Sequence, residues 1–210
     1  LELIKSAFKN GADLVKIQTY EPEDITLNKK SNKFKIHKGI WKNQYLWNLY
    51  KKACTPFKWH KDAFKLAKKK NIILFSTPFS IRALNFLKTF NPPLYKVASF
   101  ELTDHKLINE LSKLKKPIIL STGLSNLKEI KSSLKIIKKY HNKIIILYCV
   151  SGYPTPFEEI NFNKFKLLKN NTKVKHVGFS DHTRGISASL EAINNNAFMI
   201  ERHFTLNRNS

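Results

Sequence analysis

Seven short apolar runs recur along the chain, at residues 14–19, 72–76, 94–98, 117–121, 144–150, 177–180 and 198–201. They are β-branched or aromatic and bounded by polar or turn residues, the pattern of buried strands. Between them lie stretches whose apolar residues repeat at helical spacing. Such βα alternation implies a parallel sheet covered by helices.

The helical stretches carry their own punctuation. Leu3, Ile4, Ala7 and Phe8 share one face, and Gly11 makes a C-cap. Residues 60–70 and 81–90 repeat the pattern. Asp104 caps a helix with Ile108 and Leu111 inward, and Ser125 precedes a longer one carrying Leu127, Ile130, Leu134 and Ile137. Residues 165–169 and 185–194 complete the set. Residues 21–60, with Trp41, Trp47 and Tyr50, form an ordered excursion between the first two strands.

Two architectures fit: a doubly wound sheet, or a barrel short of one strand. The sequence opens on a helix and stops just after its last strand. That favours an α/β fold of the (β/α)8 TIM-barrel type, incomplete at both ends, with residues 1–210 as a single domain.

Composition narrows the function classes. The formal charge of +23 arises from 38 Lys and Arg against 15 Asp and Glu. Arginine, the residue of base readout, stands only at positions 82, 184, 202 and 208, and lysines are spread over nearly every helix. No specific nucleic-acid partner is expected, although a basic barrel fragment that binds polyanions stays as the non-enzymatic alternative. No apolar run is long enough for a membrane span, and charges interrupt any secretory signal. Cys54 and Cys149 give no disulfide framework, which fits a cytoplasmic protein.

In such a barrel the chemistry sits at the C-terminal strand ends. Here those ends give Lys16 and Gln18; Thr77; Lys96, Ser99 and Glu101; Ser121; Ser151 and Tyr153; Ser180, Asp181 and His182; and Glu201 and His203. Each has an ordinary reading. A strand lysine is usually solvated, a Ser-Thr-Gly triplet is usually turn chemistry, and a strand-end histidine is usually a hydrogen-bonded structural group. Glu101 and Asp181 can serve merely to neutralise neighbours, and Tyr153 can be packing. Repetition shifts the balance, because all seven strands end in the same polar style. Lysines and hydroxyls around one mouth suit a small anion carrying phosphate and carboxylate. His182 and His203, at the ends of successive strands, can share one divalent metal.

The strings VKIQTY, FSTPF, YKVASFE, PIILSTG, YPTPFEE, GFSDHT and IERHFTL stand in the order and spacing of the sialic-acid-synthase (NeuB-type) family, which the chain resembles over nearly its whole length. The segment KGIWKNQYLWNLYKKACTPFKWH is similar to the branch that makes pseudaminic acid. The resemblance implies a transferase that condenses phosphoenolpyruvate with an N-acetylated amino-sugar aldehyde. A 2,4-diacetamido-2,4,6-trideoxyhexose of the altrose type would give pseudaminic acid and phosphate. N-acetylmannosamine or a legionaminic precursor is the alternative sugar. It further implies Mn2+ or Mg2+ on His182 and His203. Lys16, Thr77 and Ser99 would meet the phosphoenolpyruvate carboxylate, and Lys96, Ser121, Ser151 and Ser180 its phosphate. Gln18 and Tyr153 would face the sugar. Glu101 and Asp181 would join the catalytic set.

The resemblance also implies a longer homodimeric protein, with a first barrel strand bearing Glu-x-Gly-x-Asn-His and a C-terminal antifreeze-like domain. Two positions depart from the family pattern: Val150 stands in place of Thr, and Asn194-Asn195-Asn196 stands where a glycine usually relieves the helix-to-strand turn.

Overall fold

Helix α1 (Glu2–Lys9) opens the chain and ends where the sequence says it should. Gly11 takes φ of +89°, a left-handed conformation that costs a glycine nothing. The computed structural model describes residues 1–39 and 41–207. Its chain packs as two compact units, Leu1–Pro92 and Pro93–Ser210.

In the first unit, β1 (Leu14–Thr19) pairs in parallel with β2 (Ile73–Pro78). Between them run α2 (Pro22–Ile25), α3 (Leu46–Ala53) and α4 (Phe57–Lys69), and α5 (Ile81–Lys88) follows. Alternate strand residues face opposite ways. Val15, Ile17 and Leu74 pack with Ile4, Ala63 and Ala67 of the helices. The same face carries a buried polar chain. His60 Nε2 lies 2.7 Å from Thr19 Oγ1, which lies 2.7 Å from Ser76 Oγ. The excursion is tied down by Arg82, whose guanidinium meets Glu21, Glu23 and Asp24.

In the second unit, β3 (Tyr95–Val97), β4 (Ile118–Ser121), β5 (Ile144–Cys149), β6 (His176–Asp181) and β7 (Ile200–Arg202) pair in parallel, each with the next. The crossovers are α6 (His105–Lys113), α7 (Leu127–Lys138), α8 (Phe162–Thr172) and α9 (Ser187–Asn194). Asp104 caps α6 through the Leu107 amide, as expected. Helix α7 is capped by Asn126, one residue past Ser125, in a capping box with Glu129. Helix α8 is longer than its apolar pattern indicated, because Asn161 accepts from the Asn163 and Lys164 amides and starts it early.

Asparagine does the work of glycine at several helix-to-strand turns. Asn71, Asn91 and Asn196 have φ of 53°, 49° and 59°. Asn tolerates this region better than other side chains, which explains how the Asn194-Asn195-Asn196 run makes its turn. Among the described residues, no helix is long and apolar enough to cross a membrane.

Candidate active site

The strand register of the second unit places Lys96, Ser121, Cys149, Ser180 and Glu201 on one face. The side chains of Lys96, Ser180 and Glu201 meet there. Lys96 Nζ donates to both Glu201 carboxylate oxygens at 2.9 Å. Ser180 Oγ lies 3.3 Å from Glu201 Oε1 and 3.3 Å from His182 Nε2, so its single proton can go to either.

His182 Nδ1 donates to the Val150 carbonyl at 2.8 Å. A carbonyl only accepts, so a proton is on Nδ1, and in the neutral ring Nε2 presents a lone pair. The replacement of Thr by Val at position 150 leaves this bond intact, because the backbone makes it. The His182 and His203 rings lie 5.5 Å apart between centroids. Tyr153 packs against both, at 4.4 Å from His182 and 5.8 Å from His203. The donor set fits a divalent ion: two neighbouring imidazoles, one with its tautomer fixed by a backbone acceptor. Among the described residues, no group of three or more His, Cys, Asp or Glu is placed to hold a metal ion, at these two histidines or elsewhere.

A second group gathers at the ends of β3, β4 and β5. The Gly123 amide donates to Ser99 Oγ at 3.1 Å, and Ser99 Oγ lies 3.4 Å from Cys149 Sγ. A Cβ on Gly123 would sit 2.5 Å from Ser151 Oγ and 2.8 Å from Cys149 Sγ. Only glycine permits this approach of two serine hydroxyls and an amide, the donor types an anion requires. Glu101, just beyond Ser99, has its Oε2 buried with no hydrogen-bond partner among the described residues. Burial pushes its carboxyl up to about 7.

Asp181 faces the other way, toward α9. It accepts from the Thr183 amide at 2.8 Å, Thr183 Oγ1 at 2.7 Å, Ser189 Oγ at 2.5 Å and Arg202 at 2.9 Å. Burial alone pushes its carboxyl up; the bonds from Ser189 and Thr183 and the Arg202 charge outweigh that and hold it below the usual range.

In the first unit, Gln18 pairs in register with Thr77, and Lys16 lies two residues before Gln18, so all three share the strand face opposite the helices. Thr77 is buried, and its Oγ1 has no hydrogen-bond partner among the described residues. A buried hydroxyl left unpaired is a mark of a ligand-facing group.

The NeuB family model matches residues 3–210. The chain belongs to the NeuB family. It is 41% identical over 209 residues to a pseudaminic acid synthase of Campylobacter jejuni (strain 81-176), covering 99% of this chain and 61% of that relative. The Helicobacter pylori pseudaminic acid synthase is 41% identical over 208 residues, again with 61% of its length covered. An N,N'-diacetyllegionaminic acid synthase of Campylobacter jejuni is 37% identical over 212 residues. Among solved structures, the N-acetylneuraminic acid synthetase of Leptospira borgpetersenii superposes with a TM-score of 0.86 at 30% identity, over 99% of this chain and 68% of that one. The chain thus has the α/β fold of a NeuB sialic acid synthase and spans about 61% of the curated pseudaminic acid synthases it matches.

Two residues to which the sequence assigned no role matter here. Glu201, at a strand end two residues before His203, binds Lys96. Arg202 grips Asp181, a contact across two strands that no local pattern reveals.

Proposed function

We propose that the full-length protein condenses phosphoenolpyruvate with a 2,4-diacetamido-2,4,6-trideoxyhexose of the altrose type, giving pseudaminic acid and phosphate, on a (β/α)8 barrel of which this chain is the larger part. The observation that carries the reading is the joining of Lys96, Glu201, Ser180 and His182 on one strand face of a NeuB chain. The two pseudaminic acid synthases at 41% identity favour this sugar over others. The legionaminic acid synthase at 37% keeps a legionaminic precursor as the second reading.

In this reaction the enol carbon of phosphoenolpyruvate attacks the sugar aldehyde carbon and forms the new C–C bond. Positive charge grows at the carbon bearing phosphate, water adds there with loss of a proton, and C–O cleavage releases phosphate. Lys96 offers its charge to the phosphate in place of Glu201, and Ser121, Ser151 and Ser180 supply hydroxyl donors. Ser99 donates to the carboxylate, and Tyr153 contacts the sugar. Glu101, ionising at about 7, can hold or release a proton at neutral pH. His182 and His203 would hold Mn2+ or Mg2+, whose chemistry when bound is polarisation of the aldehyde. Asp181 acts by positioning.

The full-length protein, supplied with phosphoenolpyruvate, Mn2+ and each candidate hexose in turn, should release phosphate fastest with the altrose-type diacetamido sugar. Faster release with N-acetylmannosamine or the legionaminic precursor would reassign the substrate. No release with any would refute the reading.

A further inference from the structure

The His182 and His203 rings lie 5.5 Å apart between centroids, and the two residues stand in register. Asp181 and Arg202 are Cα partners across β6 and β7, so His182 and His203 are the next residues of each strand. Asp181 and Arg202 face α9, opposite to Ser180 and Glu201. The Asp181 side chain is wholly buried.

The bonds of this pair enclose the turn that follows His182. Arg202 donates to Asp181 Oδ2, to the Thr183 carbonyl at 2.9 Å and to the Gly185 carbonyl. Asp181 Oδ1 holds the Thr183 amide and hydroxyl, and its Oδ2 takes the Ser189 hydroxyl. The backbone on both sides of the His182 turn is therefore clamped from behind. On its other flank, the His182 carbonyl accepts from the Thr155 amide at 3.0 Å. A planar guanidinium is suited to this, because one fork can meet a carboxylate and two carbonyls together; an ammonium cannot hold that geometry.

We propose that the Asp181–Arg202 pair is a positioning device that fixes the His182 and His203 imidazoles in one arrangement, and so sets the affinity of the site for a divalent cation. The cation part rests on the metal reading of the two histidines. The positioning part does not.

The test uses the full-length protein and its Arg202→Lys, Arg202→Gln and His182→Ala variants. Arg202 is partly exposed, so its variants should fold; Asp181→Asn serves as a second probe of the same pair. Histidine ring 15N NMR without metal reads the tautomer directly. The wild type should show His182 as a single Nδ1–H form, and Arg202→Gln should show a mixture, with Arg202→Lys between them. Calorimetric titration with Mn2+ should show affinity lower by about 10- to 100-fold in Arg202→Gln. A purely structural pair would lower the melting temperature and leave the ring signals as they are; unchanged ring signals in both Arg202 variants overturn the proposal. Equal Mn2+ binding by wild type and His182→Ala would instead reject the metal reading, and the ring signals would still decide the positioning role.

Discussion

Lys96 and Glu201 form a closed ion pair, with Nζ 2.9 Å from both carboxylate oxygens and side chains only 2% and 17% exposed. They come from the first and last strands of the second unit. A lysine this deep keeps its charge only with a partner. The pair therefore holds a cation ready on the face proposed to take phosphate.

Glu201→Gln removes the carboxylate charge that the Lys96 ammonium meets. Breaking a buried pair in this way costs about 3–5 kcal/mol. Urea unfolding should show a loss of that size, and inorganic phosphate should restore part of it by binding Lys96. A variant as stable as wild type would show that the pair is open in solution.

Gly123→Ala places a Cβ 2.5 Å from Ser151 Oγ and 3.2 Å from the Cys149 carbonyl. The serine can swing away but the backbone cannot, so the cluster must spread. The KM for phosphoenolpyruvate should rise about 10-fold, the equivalent of roughly 1.4 kcal/mol, with an unchanged circular dichroism spectrum. An unaltered KM would remove Ser151 from the anion site.

Two buried groups give opposite pH signatures. Burial pushes Glu101 up to about 7, so the folded protein keeps a proton that the unfolded chain loses near 4.5. Its contribution to stability is complete below about 4.5 and is lost as pH rises through 7. Glu101→Gln should be more stable than wild type at pH 8 and similar at pH 4; the reverse order would contradict a protonated Glu101.

His60 behaves the other way. Burial holds its imidazole below the usual value, against the opposing hydrogen bonds of the Pro56 and Phe57 carbonyls. The unfolded chain takes up a proton below about 6.5 where the folded protein does not, so stability is complete above that pH and falls as the solution is acidified. His60→Gln should flatten the fall in melting temperature between pH 7 and 5. An equally steep fall in the variant would assign it to other groups.

Much of this was legible in the sequence, and the limits have physical causes. Among the described residues, all seven strands lie where short apolar runs stand, because buried parallel strands need such runs and little else. Boundaries moved by one or two residues, as at β2, since polar Ser76 and Thr77 remain paired to β1 through the backbone. Helix α8 was read as too short because its start is set by Asn161, a cap and not an apolar residue. Of the site, the meeting of His182, His203 and Tyr153 follows the strand-end pattern. The direction of Asp181 does not: alternation turns it from the Ser180 face, and its partners Ser189 and Arg202 lie on other elements. Lys96 was read as an anion anchor, and its resting partner Glu201 lies 105 residues away, beyond any local pattern.

The condensation itself is tested most directly by isotope tracing. Phosphoenolpyruvate labelled with 18O in its C–O–P bridge, turned over by the full-length protein with Mn2+ and the altrose-type diacetamido sugar, should deliver the label to inorganic phosphate along with a nine-carbon 2-keto acid. Label retained in the sugar acid, or no phosphate released, would contradict the account.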